Sequence, residues 1–446
     1  MQRIIWVFSG VLLAVLLYLG SPMTALESAS VSFSAITFYQ CLHTLGRRIA
    51  ILEIWVFIAC LEILLIPCVA YAVFPASMPL DSDLYLSFAL SGAILFWLGL
   101  HVPFARSTVP HQAYIDRAKA YLKDKGNVGI GLIGIGLTGH IAQIVAPDSV
   151  KALFVVVANC ANIGVLYTYY SRSRGRNLAI LIAVGALLLQ TVRQGMFGEL
   201  VFWVLLWVLM VAMGNDWVFR SGFKLGLVVF GFGALLVLQS IKFEYRLNTW
   251  GNTRDEREGD AGLMVELVAE RLQNPAKLVE IAPLYNSFTR FNQGITMGSA
   301  MVHVPLNEPF ANGEVLLALT YPFIPRLFWN NKPITGGEET IRRFTNLPIF
   351  KNNSINITPL GEGYVNFGYW GGIIYIFFFG LLFNCCFHWV LKKAEYIPTL
   401  VLWLPSFFAR SLTFETDLYT TWGSLVQSVL FAFFFYKMAG LLRISI

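Results

Sequence analysis

The sequence predicts an all-α protein, a polytopic membrane bundle of about twelve helices with one large helical insertion between spans nine and ten. Three observations predict it. Apolar residues make up 57% of the chain and charged residues 13%, about half the charged share of an ordinary soluble domain. Apolar runs near 20 residues, long enough to cross a bilayer's hydrocarbon, recur through most of the chain. Polar sequence concentrates in one stretch, Lys242 to Asn366, whose 25 of the 58 charged residues set it apart from the spans around it.

The clear apolar runs cover 3–20, 50–74, 84–103, 127–146, 151–170, 177–192, 198–214, 223–241, 368–391, 397–413 and 421–441. The first of these has the length of a signal peptide. It is read as a span, because a membrane bundle follows it and "SPMTALESAS" is a poor cleavage region. The segment 28–46 is rich in Ser and Thr and ambiguous by itself. Charge arbitrates, since short cytoplasmic loops carry the excess of Lys and Arg. Arg106 to Lys125, Arg172 to Arg176, Arg220 with Lys224, and Lys392 with Lys393 fall on one side, and Arg47 and Arg48 join them. For Arg3 to join as well, segment 28–46 must cross, and serine hydroxyls that bond back to helix carbonyls make this possible in a bundle. The expectation is twelve spans with both termini cytoplasmic. The opposite side holds Asp81, Asp83, Asp148, Glu415, Asp417 and the insertion. The chain then divides into 1–241 with spans one to nine, the insertion 242–366, and 367–446 with spans ten to twelve.

Within the insertion, Lys242 to Asp260 reads as a solvated loop. Asp260 caps a helix over Ala261 to Gln273 whose apolar face is Leu263, Met264, Leu267, Val268 and Leu272, with Glu266, Glu270 and Arg271 opposite. Pro275 starts a second short helix. A third runs from Leu284 to about Val302. "VLLALTYPFIPRLFW" is apolar but broken by Pro322 and Pro325, which suits an interfacial or re-entrant segment. The insertion therefore reads as a helical lid over the outer mouth of the bundle.

Candidate chemistry gathers at that mouth. Arg193, Arg290, Arg326 and Arg410 lie on the outer side, and guanidinium is suited to bidentate phosphate recognition. Asn292, Lys332 and Glu308 neighbour them in sequence and complete the binding candidates. For a general base the candidates are His303, the insertion's one histidine, and Glu362, flanked by Gly361 and Gly363, with Glu308 and Glu314 as alternatives. Glu62 and His140 lie inside spans; Glu62 is either a proton relay or a neutral acid bonded within the bundle. The six cysteines all lie in apolar segments with no metal or disulfide spacing. "GIGLIGIGLTG" and "ITGGEE" lack the Lys-Ser/Thr ending of a phosphate loop. The net charge of +6 follows membrane orientation, and no basic stripe points to nucleic acid.

Twelve spans and a large outer loop near the C-terminal end, with "TRFNQG", "VPLNEPFANGE", "IPRLFWNNKP", "NITPLGEGYVNFGYWGG" and "VRQGMFG", resemble the oligosaccharide repeat unit polymerases of O-antigen synthesis (the Wzy type), within the wider group that includes the O-antigen ligases. The resemblance implies a glycosyltransferase of the bacterial inner membrane, serving O-antigen, capsule or exopolysaccharide. Its donor is a glycan on undecaprenyl pyrophosphate at the periplasmic face, and its acceptor is a lipid-linked repeat unit. It requires no cofactor and no metal, and its partners are those lipid-linked glycans, a flippase and a chain-length regulator. Arg193, Arg290 and Arg326 would then hold the pyrophosphate, and His303 or Glu362 would serve as base. A ligase of the same chemistry and a flippase or secondary transporter are the rival readings. The halves show no internal repeat, and the polar residues avoid the midplane apart from Glu62, which weighs against transport.

Overall fold

The computed structural model describes residues 2–103, 109–195, 197–215, 221–249, 260–278, 285, 288–324, 329, 332–333, 337–348 and 355–443. The described residues are helical or irregular, with no strand among them. Eight helices are long and apolar enough to cross a membrane: Ile51–Val73, Ser82–His101, Gly126–Val145, Leu153–Tyr170, Arg176–Arg193, Gly222–Arg246, Thr358–Ala394 and Leu418–Leu441. Large apolar side chains face outward on several of them, including Leu181, Leu189, Val229 and Phe230. A soluble surface rarely tolerates so much exposed hydrocarbon, and a membrane protein requires it.

The helices, in order, are α1 (Gln2–Gly20), α2 (Ala25–Thr44), α3 (Ile51–Val73), α4 (Ser82–His101), α5 (His111–Leu122), α6 (Gly126–Val145), α7 (Asp148–Tyr170), α8 (Arg176–Gln194), α9 (Gly198–Gly214) and α10 (Ser221–Thr249). The second half holds α11 (Ala261–Gln273), α12 (Gln293–His303), α13 (Glu338–Phe344), α14 (Thr358–Ala394), α15 (Leu404–Phe408) and α16 (Leu418–Leu441). The ambiguous segment is the 20-residue helix α2, started by a Thr24–Glu27 capping box. Its Ser34, Thr37 and Thr44 hydroxyls bond to helix carbonyls, as a polar helix inside a bundle requires. The glycine-rich run is a packing face: a Cβ at Gly136 would stand 2.1 Å from the Ala161 nitrogen, so α6 and α7 meet backbone to backbone.

Three expectations change. First, the stretch read as solvated loop from Lys242 is helical to Thr249. Tyr245 in it is buried with Ile241, Phe197 and Leu267, so α10 outlasts its apolar run by packing on α11. Second, residues 397–413 form no single helix. They form a 3₁₀ turn Pro398–Trp403, the short α15 and a second 3₁₀ turn Ala409–Ser411. Pro398 and Pro405 remove backbone donors and restart the helix each time. The following loop therefore lies deep in the bundle, with the Phe414 ring 5.4 Å from that of Phe96. Third, the helix expected from Leu284 to about Val302 is interrupted at Asn292: residues 288–291 are helical, and α12 restarts at Gln293, where the Asn292 side chain caps it by accepting the Gly294 N–H at 3.0 Å.

The insertion roofs this recess. α11 has the expected bounds and cap, and the Arg271 side chain, expected on the solvent face, turns inward to pair with Glu244 of α10 at 2.7 Å. Pro275 starts only a 3₁₀ turn, Pro275–Leu278. The kinked apolar segment forms the turns Glu314–Leu319 and Tyr321–Phe323, which sit on the head of α16. There Trp422 Nε1 donates to the Leu319 carbonyl at 3.0 Å and the Tyr321 and Tyr419 rings meet at 5.0 Å. A small core of Ala300, Val304, Ile341, Phe344 and Val365 joins the insertion to the head of α14.

Candidate functional site

The loop 412–417 is built from two sides. Glu62, near the middle of α3, is brought to it by a π-helical turn, Leu61–Leu65, which adds a residue to the helix and re-aims the side chain. The Phe414 N–H donates to Glu62 Oε2 at 3.0 Å, and the Thr413 hydroxyl lies 3.5 Å from Oε1. At the other end, the Leu418 N–H donates to Glu362 Oε2 at 3.0 Å. Two carboxylates, Glu62 buried and Glu362 half-buried, thus hold the five residues of backbone from Phe414 to Leu418, and both accept from main-chain donors that would otherwise be unpaired.

Glu362 is engaged further, accepting the Tyr375 hydroxyl at 3.1 Å. The contact depends on a kink in α14. Gly368 has φ 70° and ψ −168°, and the chain folds back there so that Gly363 rests on Gly372. Of the two glycines that flank Glu362, Gly363 admits the second leg of the same helix and Gly361 packs on Met297 of α12.

Between these two anchor points, Glu415 faces Arg290. The Arg290 guanidinium pairs with the Glu415 carboxylate; the arginine side chain is 43% exposed and the glutamate side chain 13%. Burial pushes the Glu415 carboxyl up, and Arg290 and Lys242 oppose that shift. Lys242, on α10, feels the charges of Arg246, Arg290 and Glu415. Among the described residues it forms no hydrogen bond or ion pair. Arg246, one turn along α10, grips the Gly195 carbonyl through Nε at 3.1 Å and Nη2 at 2.9 Å. That carbonyl lies just beyond the end of α8, whose last turn carries Arg193. Arg290 and Lys242 therefore face the Glu415 carboxylate, with Arg246 beside Lys242 and Glu62 on the other side of the pair, and such a concentration of cations is suited to an anionic group.

The sequence-derived candidates distribute unevenly around this cluster. Arg290 is in it. Arg193 and Arg410 are exposed and without an ion pair among the described residues; Arg410 ends the broken segment that leads into the loop. Arg326 lies outside the described residues. Asn292 is buried, capping α12 and contacting Met78 Sδ at 3.3 Å. Lys332 is buried and donates to the Ile324 carbonyl at 2.8 Å. Glu308 pairs with Arg343 at 2.6 Å, as does Glu314, and these two carboxylates hold Arg343 firmly charged. His303 ends α12, whose beginning lies beside Arg290, so about 15 Å of helix separates them. Its contact is Asn307, at 3.4 Å. Neither expected base, His303 nor Glu362, joins the cations.

The residues missed in the sequence are Lys242, Arg246 and Glu415. Their signal was present: Lys242 and Arg246 stand four apart directly after an apolar run, which places them on one helix face if the helix continues. No group of His, Cys, Asp or Glu suited to a metal ion occurs among the described residues. The cysteines are free, and four of the six are buried.

No curated protein and no solved structure matches the chain. A family model described as a domain of unknown function, DUF8712, matches residues 139–433. That stretch takes in α10, the insertion and the loop that carries Glu415, so by the larger part of its length, including all the cations of the site, the chain belongs to the DUF8712 family.

Proposed function

We propose that the protein polymerises oligosaccharide repeat units carried on undecaprenyl pyrophosphate, by glycosyl transfer at the periplasmic face of the bacterial inner membrane, with lipid pyrophosphate as the leaving group. The observation that carries this reading is the grouping of Arg290 and Lys242 at the Glu415 carboxylate, with Arg246 beside Lys242, where the insertion meets the membrane bundle. Fixed cations there neutralise the charge that grows on the departing pyrophosphate, without a metal or a nucleotide sugar. Arg193, in the last turn of α8, Arg410, ahead of the loop that carries Glu415, and Arg326 are assigned to the same mouth from their places in the sequence. In this reading the bundle has twelve spans: the eight long apolar helices, then α1, α2, α9 and the broken segment ending at Ser411. Both termini are cytoplasmic and the insertion is periplasmic.

The test is genetic and biochemical together. Arg290→Ala should abolish polymer while protein level holds and single repeat units still reach the surface. Normal chain length in that variant sinks the reading. In a deletion strain, repeat units trapped on the cytoplasmic side would identify a flippase instead. Full-length chains left unattached would identify a ligase.

A further inference from the structure

We propose that Glu415 is the resting partner of Arg290 and becomes the proton acceptor of the reaction once a phosphate takes the arginine away. The inference rests on the pyrophosphate reading of the site and adds to it the base that the sequence did not supply.

The geometry has three parts. The Glu415 carboxylate pairs with Arg290, and the arginine is the more exposed of the two, so it is the partner free to reach a ligand at the mouth. The glutamate is held from both sides. Its own N–H donates to Thr413 Oγ1 at 3.2 Å, and the backbone around it is fixed by Glu62 and Glu362. Lys242 stands beside the pair with no partner among the described residues, ready for the second anionic group of a pyrophosphate.

The chemistry follows from exchange of partners. In the empty site Arg290 and Lys242 stabilise the ionised carboxylate against its burial. When phosphate draws Arg290 off, the carboxylate stays in its recess with less compensation and with a new anion nearby. Both changes raise its affinity for a proton, so its basicity increases as the donor arrives. The acceptor hydroxyl then forms a C–O bond to the anomeric carbon of the donor, and its proton passes to Glu415. The bond from that carbon to the phosphate oxygen breaks, and the electron pair leaves on the lipid pyrophosphate. The protonated Glu415 returns its proton to water when Arg290 comes back. The other charged groups facing Glu415 are Glu62 from α3 and Lys242 from α10.

The experiment is pyrophosphate binding to the full chain in nanodiscs, by titration calorimetry in buffers of different protonation enthalpy between about pH 5 and 8. Inorganic pyrophosphate is the probe, and undecaprenyl pyrophosphate in the disc is the competitor that distinguishes a lipid site from a free-anion site. Wild type should take up protons on binding, in excess of any taken up by Glu415→Gln. The Gln variant should bind about five- to tenfold more tightly, because it no longer competes for Arg290, and it should not make polymer. Arg290→Ala should bind at least about tenfold more weakly, the equivalent of roughly 1.4 kcal/mol. If wild type does not bind pyrophosphate, the functional reading fails and this proposal with it. If wild type binds and Arg290→Ala does not, but Glu415→Gln binds no tighter with unchanged proton uptake, only the exchange is overturned. Should the Gln variant not fold, sulfate binding to a Lys242→Arg protein decides. Neither sulfate nor the arginine titrates in this range, so proton uptake that persists there supports the exchange and its absence refutes it.

Discussion

At the scale of single residues, the molecule turns on carboxylates used as backbone acceptors. Glu62 is a charged residue type inside a membrane span, where such a group is costly and has a function by default. Here its oxygens satisfy the Phe414 N–H in a loop that has no helix of its own to do so. A Gln at position 62 keeps an oxygen for that N–H, whereas a Leu leaves it buried and unpaired at a cost of about 1–3 kcal/mol. The expectation is that Glu62→Gln unfolds near the wild-type temperature in detergent and Glu62→Leu clearly lower. Equal losses would mean that charge, not hydrogen bonding, is what position 62 supplies. This role could not be read from the sequence. Glu62 and Phe414 are more than 350 residues apart, and no local pattern announces that a π turn will aim one at the other. Arg290 was legible because an arginine beside an apolar stretch is conspicuous. Glu415 was visible only as one more acid on the outer side, since its significance lies in what it faces.

At the scale of elements, local signals carried as far as local energetics did. The bounds of α11 were legible to the residue because its apolar period lies within its own 13 residues and its cap is the residue just before them. The continuation of α10 was not, because its last turns are polar and are stabilised by α11 across a gap in sequence, through Tyr245 and the Glu244–Arg271 pair. The broken segment ending at Ser411 was hidden by its apolar composition, which fits a span as well as a buried turn, although Pro398 and Pro405 were the warning. The kink in α14 yields a prediction at this scale. Gly368 occupies a backbone region essentially confined to glycine, so Gly368→Ala should cost about 1–3 kcal/mol. It should also pull Glu362 away from both Tyr375 and Leu418, because the fold-back sets their distances. The expected result is a lower unfolding temperature together with loss of polymer. A Gly368→Ala protein with wild-type stability would show that the kink is not needed to dock the two legs of the helix.

At the scale of the whole molecule, the two ends of the bundle are chemically different, and the proposed orientation rests on that difference. One end carries Arg47, Arg48, Lys119, Lys224, Lys392 and Lys393, and hydrogen bonds tie its loops together. Lys224 donates to the Leu42 and Leu45 carbonyls at 2.6 Å, the Ile49 N–H donates to His111 at 3.1 Å, and Tyr114 reaches Glu395 at 3.1 Å. The other end carries the insertion, and its loops are tied together in turn by Asn292 on Met78, Arg246 on Gly195 and Arg290 on Glu415. For those contacts to exist, the residues at each end must share a side, so the alternation of loops holds whether or not the weakest segments cross in full. In the orientation proposed above, positive charge in short loops marks the first end as cytoplasmic and the insertion as opposite. Single cysteines in a chain without its native ones test this directly. Glu339→Cys, on the exposed face of α13, should react with a membrane-impermeant maleimide in cells whose outer membrane alone is opened, whereas Lys392→Cys and Arg47→Cys should react only after lysis. Labelling of Lys392→Cys from outside would invert the molecule. The cationic site would then open on the cytoplasm, where no flipped lipid-linked glycan could reach it, and the polymerase reading would fall whatever Arg290→Ala had shown.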